Sequence, residues 1–200
     1  WVDPDSGGFR HVQGQFWPYG GLELAHAYLR LGRLDVLHQI LGWTLAHQTM
    51  PGTFAWAEQV DPSHGGFSGG DMPHAWAAAD YSTLVREMLI TEHGGSLELF
   101  NGVPDWWLSH GKVIVLENAP THFGTLTLLQ TESTLDQDGE AWNGDLKISL
   151  AGASSQRGFR WRLPQVPAIV DGPPGTVVDS GWLVIPNTGG TVRLTFSSRQ

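Results

Sequence analysis

The stretch FAWAEQVDPSHGGFSGGDMPHAWAAADY, residues 54–81, decides the interpretation of the fold. It joins an aromatic-rich and glycine-rich loop to an alanine-rich segment. The titratable side chains of its loop include Glu58, Asp61, Asp71 and His74. A carboxylate among tryptophans at the mouth of a helix has a wall of low dielectric constant and faces water, so it can act as a general base. The stretch therefore indicates a carboxylate site at a helix entrance.

The alanine-rich segment predicts a helix that opens at Met72-Pro73 and runs to about residue 90. Proline costs nothing in the first turn of a helix, because its missing N–H would have no partner there. Asp71 then fits the N-cap position, where its carboxylate accepts a backbone N–H. An N-cap role and a role in binding sugar hydroxyls are both open for Asp71.

Upstream, residues 21–31 read GLELAHAYLRL, with apolar side chains at helical spacing. The same pattern returns in LDVLHQILGWTLAHQT, residues 34–49, and it stops at Pro51-Gly52. A link as short as residues 31–33 requires two antiparallel helices, so the sequence predicts a helical hairpin.

From residue 97 onward the apolar pattern becomes short and partly alternating. The segments are KVIVLE, FGTLTLLQT, DLKISLAG, FRWRL, GWLVIP and TVRLTF. Clusters of Gly, Pro, Asn and Asp separate them, which is typical of an antiparallel β-sandwich. The sequence therefore predicts α+β in sequence order: a helical part over residues 1–103 and a β-sandwich accessory domain over residues 104–200.

Composition narrows the classes of partner. The formal net charge is −9, and residues 1–110 carry twelve acidic and four basic side chains, so we expect no nucleic-acid partner. No window reaches the ~18 consecutive apolar residues of a membrane span, and no membrane partner is expected. The chain has no Cys, and its nine His lack the close spacing of a helical zinc site, so we expect no metal. No nucleotide-binding motif is present, and we expect no cofactor.

The run AWAEQVDPSHGG, its glycine-rich spacer and DMPHAWAAADYSTLVREML together resemble the last catalytic segment of the six-hairpin, or (α/α)6-barrel, glycosidases, which include trehalases, processing α-glucosidases and α-rhamnosidases. The resemblance matches Glu58 to the catalytic base of that superfamily and Asp61-Pro62 to the turn that follows it. It matches residues 69–76 to the entry of the final inner helix. The helices of GQFWPYGGLELAHAYLRLGR look like a hairpin of such a barrel, and a β-sandwich often follows the barrel.

The resemblance implies the C-terminal portion of a glycoside hydrolase that cleaves glycosidic bonds with inversion. Only three helices are predicted where a complete barrel has twelve, so the expected fold is an incomplete (α/α)6 barrel followed by an antiparallel β-sandwich. No residue matches the general acid, which the resemblance places in an upstream part of the same polypeptide. We therefore expect the fragment alone to be inactive on its oligosaccharide or glycoside substrate.

The expected substrate-binding side chains are Trp17, Trp56, Asp71, His74 and Trp76. The indoles offer flat faces on which sugar rings stack, and burial between helices is the competing explanation for each of them. Two other functions stay open. One is a carbohydrate-binding or scaffolding module without catalysis, and the other is a sugar isomerase or epimerase.

Overall fold

The computed structural model describes residues 2–10, 15–61, 66–138, 141–153 and 155–197. The chain divides into two compact units, Trp1–Met88 and Leu89–Gln200. We describe each unit separately.

Two antiparallel helices form the base of the first unit. α1 spans Pro18–Arg30 and α2 spans Leu34–Ala46, as the apolar spacing predicted. Gly32 turns the chain between them with a φ of +68°, a conformation that glycine adopts without strain. The side chains that the hairpin buries are Leu22, Ala25 and Leu29 of α1 and Leu37, Ile40 and Leu41 of α2. Each fully buried Leu or Ile stabilises the unit by about 1.5–3 kcal/mol relative to an exposed one.

Coil and strand segments cover a second face of this hairpin. Phe16 stacks on Trp43 of α2 at a centroid distance of 5.1 Å, and Ala57 and Val60 are buried against them. Strands β1 (Gln59–Asp61) and β2 (Gly66–Gly69) pair antiparallel beside this cluster. Side chains from coil and from β1 thus bury apolar surface of the hairpin.

The third helix, α3, spans Ala75–Leu89 and begins later than predicted. His74 occupies the residue before it, and the His74 Nδ1 accepts the N–H of Ala77 at 3.4 Å. The predicted start at Met72-Pro73 and the predicted N-cap at Asp71 are therefore wrong. The His74 imidazole, not the Asp71 carboxylate, thus accepts a backbone N–H that has no partner within the helix.

The second unit is built from eleven strands in the described part of the chain. In chain order they are β3 (Ile90–His93), β4 (Ser96–Leu99), β5 (Ile114–Thr121), β6 (Gly124–Ser133), β7 (Asp136–Asp138), β8 (Ala141–Gly152), β9 (Phe159–Arg162), β10 (Ile169–Asp171), β11 (Val177–Asp179), β12 (Trp182–Ile185) and β13 (Gly190–Phe196). A 3-10 helix, Asp105–Trp107, lies between β4 and β5. One sheet has the order β10-β13-β8-β6-β5, with β7 also paired to β8, and the other has the order β11-β12-β9-β4-β3.

Aromatic rings from both sheets meet in the core of the second unit. Trp142 of β8 contacts Trp161 of β9 at 6.3 Å between ring centroids, and it contacts Phe196 of β13 at 5.2 Å. Phe100 packs edge-on against Trp161 at 5.2 Å. The second sheet is mixed, because β4 and β9 run parallel.

The predicted fold class is wrong. The described residues form three helices and thirteen strands in three sheets, and they contain no helical barrel. The strands β3 and β4, which the sequence had placed within residues 1–103, pair inside the second unit. Among the described residues, no helix is long and apolar enough to cross a membrane.

Candidate functional site

Three segments of the first unit converge where α1 and α3 begin. Phe16 and Val60 exchange two backbone hydrogen bonds, of 3.1 and 2.8 Å. The Glu58 N–H donates to the Asp71 carbonyl at 3.0 Å, and the His74 N–H donates to the Trp56 carbonyl at 2.7 Å. The chain around Glu58 is therefore held by backbone hydrogen bonds between the approach to α1 and the approach to α3.

Four rings gather at this point, and we call Trp17, Tyr19, His74 and Trp76 the aromatic cluster. Tyr19 is its centre: its ring centroid lies 5.5 Å from Trp17, 5.0 Å from His74 and 5.1 Å from Trp76. Such distances are those of favourable aromatic pairs. The structure thus brings together three predicted site residues, and it adds Tyr19, which the sequence interpretation missed.

Trp76 exposes a large apolar surface within the aromatic cluster. It lies in the first turn of α3, and 54% of its surface is accessible to solvent. The centroid of its ring lies 5.1 Å from that of Tyr19 and 6.5 Å from that of His74. Because the remaining surface faces water, Trp76 is placed to pack against a ligand.

Glu58 lies next to this cluster. Its side chain is half-buried, and its Oε2 accepts the Asp71 N–H at 3.4 Å. The pKa of the Tyr19 phenol is raised, first by burial and then by the negative charges of Glu58 and Glu23. The carboxylate of Glu58 is therefore close enough to Tyr19 for its charge to act on the phenol.

Gly70 makes room for the Glu58 side chain. Its φ is +72°, and a Cβ at this position would lie 2.6 Å from the Cβ of Glu58 and would collide with the carboxylate. Glycine is therefore needed at position 70 both for its backbone conformation and for the space it leaves. Asp71, the next residue, is exposed.

Trp56 lies apart from the exposed rings. It has no solvent-accessible surface, and its indole N–H donates to the Thr44 carbonyl at 2.7 Å. Its ring contacts Tyr81 of α3 at 5.0 Å. In this structure Trp56 packs in the interior, and it offers no face to a ligand.

Asp80 is a second carboxyl group near the aromatic cluster that the sequence interpretation passed over. It follows Trp76 by one helical turn, so the two side chains lie on the same side of α3. Burial raises the pKa of Asp80, although His26 and His74 each lower it. Its Oδ2 is buried and has no hydrogen-bond partner among the described residues. The four-residue spacing between Trp76 and Asp80 could have indicated from the sequence that the two side chains are neighbours on α3.

Residues 62–65 of the quoted stretch, with the Pro62 of the predicted Asp61-Pro62 turn, lie outside the described residues. In the part of the chain that the structure describes, no group of three or more His, Cys, Asp or Glu side chains could hold a metal ion.

Comparison of the chain with protein-family models, with curated proteins and with solved structures finds no match. The resemblance to the six-hairpin glycosidases is therefore wrong, because neither a family match nor a helical barrel in the described residues supports it. The expected classification as a hydrolase or glycosidase depended on that resemblance, and no match supports it. Cleavage of glycosidic bonds stays a prediction. The side chains at the site have to be interpreted from their own geometry.

Proposed function

We propose that this chain binds carbohydrate, without cleaving it, at the aromatic cluster and the carboxylates beside it. The observation that carries the proposal is the exposed ring of Trp76, which Tyr19 and His74 contact. The C–H faces of a pyranose ring are flat and apolar, so they pack well on an indole that is already held in position.

The polar groups at the site can bind the hydroxyl groups of a sugar. Hydroxyl groups donate hydrogen bonds to carboxylates, and such charge-assisted bonds are stronger than bonds between neutral groups. Glu58 is half-buried and Asp71 is exposed, so both retain oxygen atoms for a ligand. A few convergent polar groups beside an apolar surface are the usual composition of a small-molecule site.

Hydrolysis with Glu58 as general base stays a prediction that depends only on the chemistry of the carboxylate. Glycosidic cleavage requires a second carboxyl group that can donate a proton. The pKa of Asp80 is raised by burial, and in our proposal its place one helical turn after Trp76 gives it a supporting role. No contact of the described residues favours a sugar isomerase or epimerase.

The proposal is tested by binding measurements with a matched pair of tryptophan variants. Trp76 and Trp106 are exposed to similar extents, 54% and 62%, and Trp106 belongs to the second unit. Calorimetric titration with soluble pyranose oligosaccharides should show binding that Trp76→Ala weakens about tenfold or more and that Trp106→Ala leaves unchanged. Equal loss in both variants, or no binding to any oligosaccharide, would contradict the proposal.

A further inference from the structure

Acidic side chains predominate in the segments that build the site, and the guanidinium of Arg10 lies 5.1 Å from the Phe16 ring beside them. Residues 16–23, 56–61 and 70–80 contain five carboxylates and no Lys or Arg. The carboxylates are Glu23, Glu58, Asp61, Asp71 and Asp80. A site lined by charge of one sign attracts ligands of the opposite sign and raises their local concentration.

Two of these carboxylates, Glu58 and Asp71, form no ion pair among the described residues. Asp80 differs from them, because His26 and His74 lower the pKa that burial raises. Elsewhere in the same unit, Asp35 pairs with Arg33 at 3.0 Å, and Glu87 pairs with Arg30 at 3.5 Å.

The aromatic cluster favours positive charge for an independent reason. The face of an indole or phenol ring carries partial negative charge, so an ammonium group within about 6 Å of the ring centroid is attracted to it. Trp76 presents such a face to solvent, and Tyr19 packs beside it. The rings and the carboxylates thus prefer the same kind of ligand.

We infer that the carbohydrate bound here is an amino sugar with a free ammonium group, in an oligosaccharide of the glucosamine type. This inference rests on the proposed function, since it names the class of sugar for the same site. The apolar face of one pyranose packs on Trp76, while an ammonium group lies over a ring face of the aromatic cluster and within reach of the carboxylates of Glu58 and Asp71. A neutral sugar would leave these two charges without a partner.

Three hexamers with the same β-1,4-linked backbone provide the test, because they differ only at carbon 2 of each sugar. The glucosamine hexamer carries ammonium groups, the N-acetylglucosamine hexamer carries neutral amides, and the glucose hexamer carries hydroxyls. Calorimetric titration of the full chain near pH 6 should show that the glucosamine hexamer binds about 5- to 20-fold more tightly than the other two. About 0.5 M NaCl should remove most of that advantage through screening.

Two charge-matched variants locate the effect. Glu58→Gln should reduce the preference for the glucosamine hexamer at least about threefold. Asp35→Asn removes the same charge from an exposed position on α2, and it should leave the preference unchanged. Equal effects of the two variants would mean that net charge, not this site, attracts the hexamer, and that would overturn the inference.

The outcomes separate the two proposals. Equal affinity for all three hexamers, lost on Trp76→Ala, would overturn the amino-sugar inference and leave carbohydrate binding supported. Binding of no hexamer would overturn both. A glucosamine preference that disappears with Trp76→Ala and Glu58→Gln, and persists with Asp35→Asn, would support both.

Discussion

The buried rings of the second unit contrast with the aromatic cluster of the first. Trp142, Trp161 and Phe196 meet in the interior between two sheets, where they fill the core. Trp17, Tyr19 and Trp76 gather around the beginnings of two helices, and Trp76 stays more than half exposed. Abundant tryptophan therefore does not indicate one role, because some indoles fill a core and others remain in contact with water.

Ion pairing distinguishes Glu132 of the second unit from the acidic side chains at the site. Glu132 forms ion pairs with Lys147 at 2.6 Å and with Arg193 at 3.1 Å. Glu58 and Asp71 in the first unit form none among the described residues. A carboxylate in an ion pair has its charge balanced by a side chain of the protein. A carboxylate without an ion pair can instead interact with a charged ligand.

The largest expected effect tests the core role of the rings in the second unit. Trp161 is 2% exposed between Phe100 and Trp142, so Trp161→Ala should cost about 3–5 kcal/mol of stability. Trp76→Ala should cost less than about 1 kcal/mol, because the ring is largely in water. Urea unfolding of both variants checks the contrast, with Trp161→Phe as an intermediate control. Similar losses at positions 76 and 161 would remove the distinction between core ring and ligand surface.

A pair of glycine variants tests whether the space around Glu58 matters. Gly70 and Gly52 have similar positive φ values, +72° and +79°, but a Cβ at Gly52 meets nothing within 4 Å. Gly52→Ala should cost about 1 kcal/mol from backbone strain alone, and Gly70→Ala should cost about 1–2 kcal/mol more because it displaces Glu58. Thermal unfolding measures both costs. Equal costs would show that the Glu58 side chain moves aside freely.

The smallest effects concern two acids whose pKa values shift in opposite directions. Burial raises the pKa of Asp80 above its ordinary 3.8, so the folded state binds the proton more tightly than the unfolded state. The free energy of unfolding therefore falls as pH rises from 3.8 through the raised pKa. At neutral pH the ionised carboxylate of Asp80 destabilises the folded state. Asp80→Asn should raise the melting temperature at pH 7 by about 1–2 °C, and the gain should vanish below pH ~4.

Glu132 provides the opposite sign in the second unit. Its hydrogen bond to Lys147 lowers its pKa below the ordinary 4.5, with the charge of Arg193 as a smaller cause. The ionised Glu132 therefore stabilises the folded state at neutral pH, and this stabilisation is lost as pH falls through the lowered pKa. Glu132→Gln should slightly lower the melting temperature at pH 7, and a rise would contradict the assignment.

Local patterns in the sequence predicted local structure. Apolar spacing located α1 and α2, and the alternating segments from KVIVLE to TVRLTF lie in strands. Periodicity reports which face of an element is buried, but it does not report what covers that face. The helical barrel was wrong for this reason: the coil residue Ala57 and Val60 of β1, and not further helices, pack against Trp43 of the hairpin.

The site was predictable in part. The sequence interpretation named Trp17, His74 and Trp76, and the structure places them around Tyr19. It also named Trp56, whose burial depends on the Thr44 carbonyl twelve residues earlier and could not be derived from a local pattern. The start of α3 was misplaced because a proline and an aspartate suggested a cap that the His74 imidazole provides.

The most direct test of the account follows the indole N–H signals of the ten tryptophans by nuclear magnetic resonance. Trp→Phe variants assign the signals, and the protein is titrated with whichever of the three hexamers binds most tightly. The account predicts the largest shifts at Trp76 and Trp17, and unchanged signals at the buried Trp56, Trp142 and Trp161. Largest shifts at Trp106 or Trp182, with Trp76 unchanged, would contradict it.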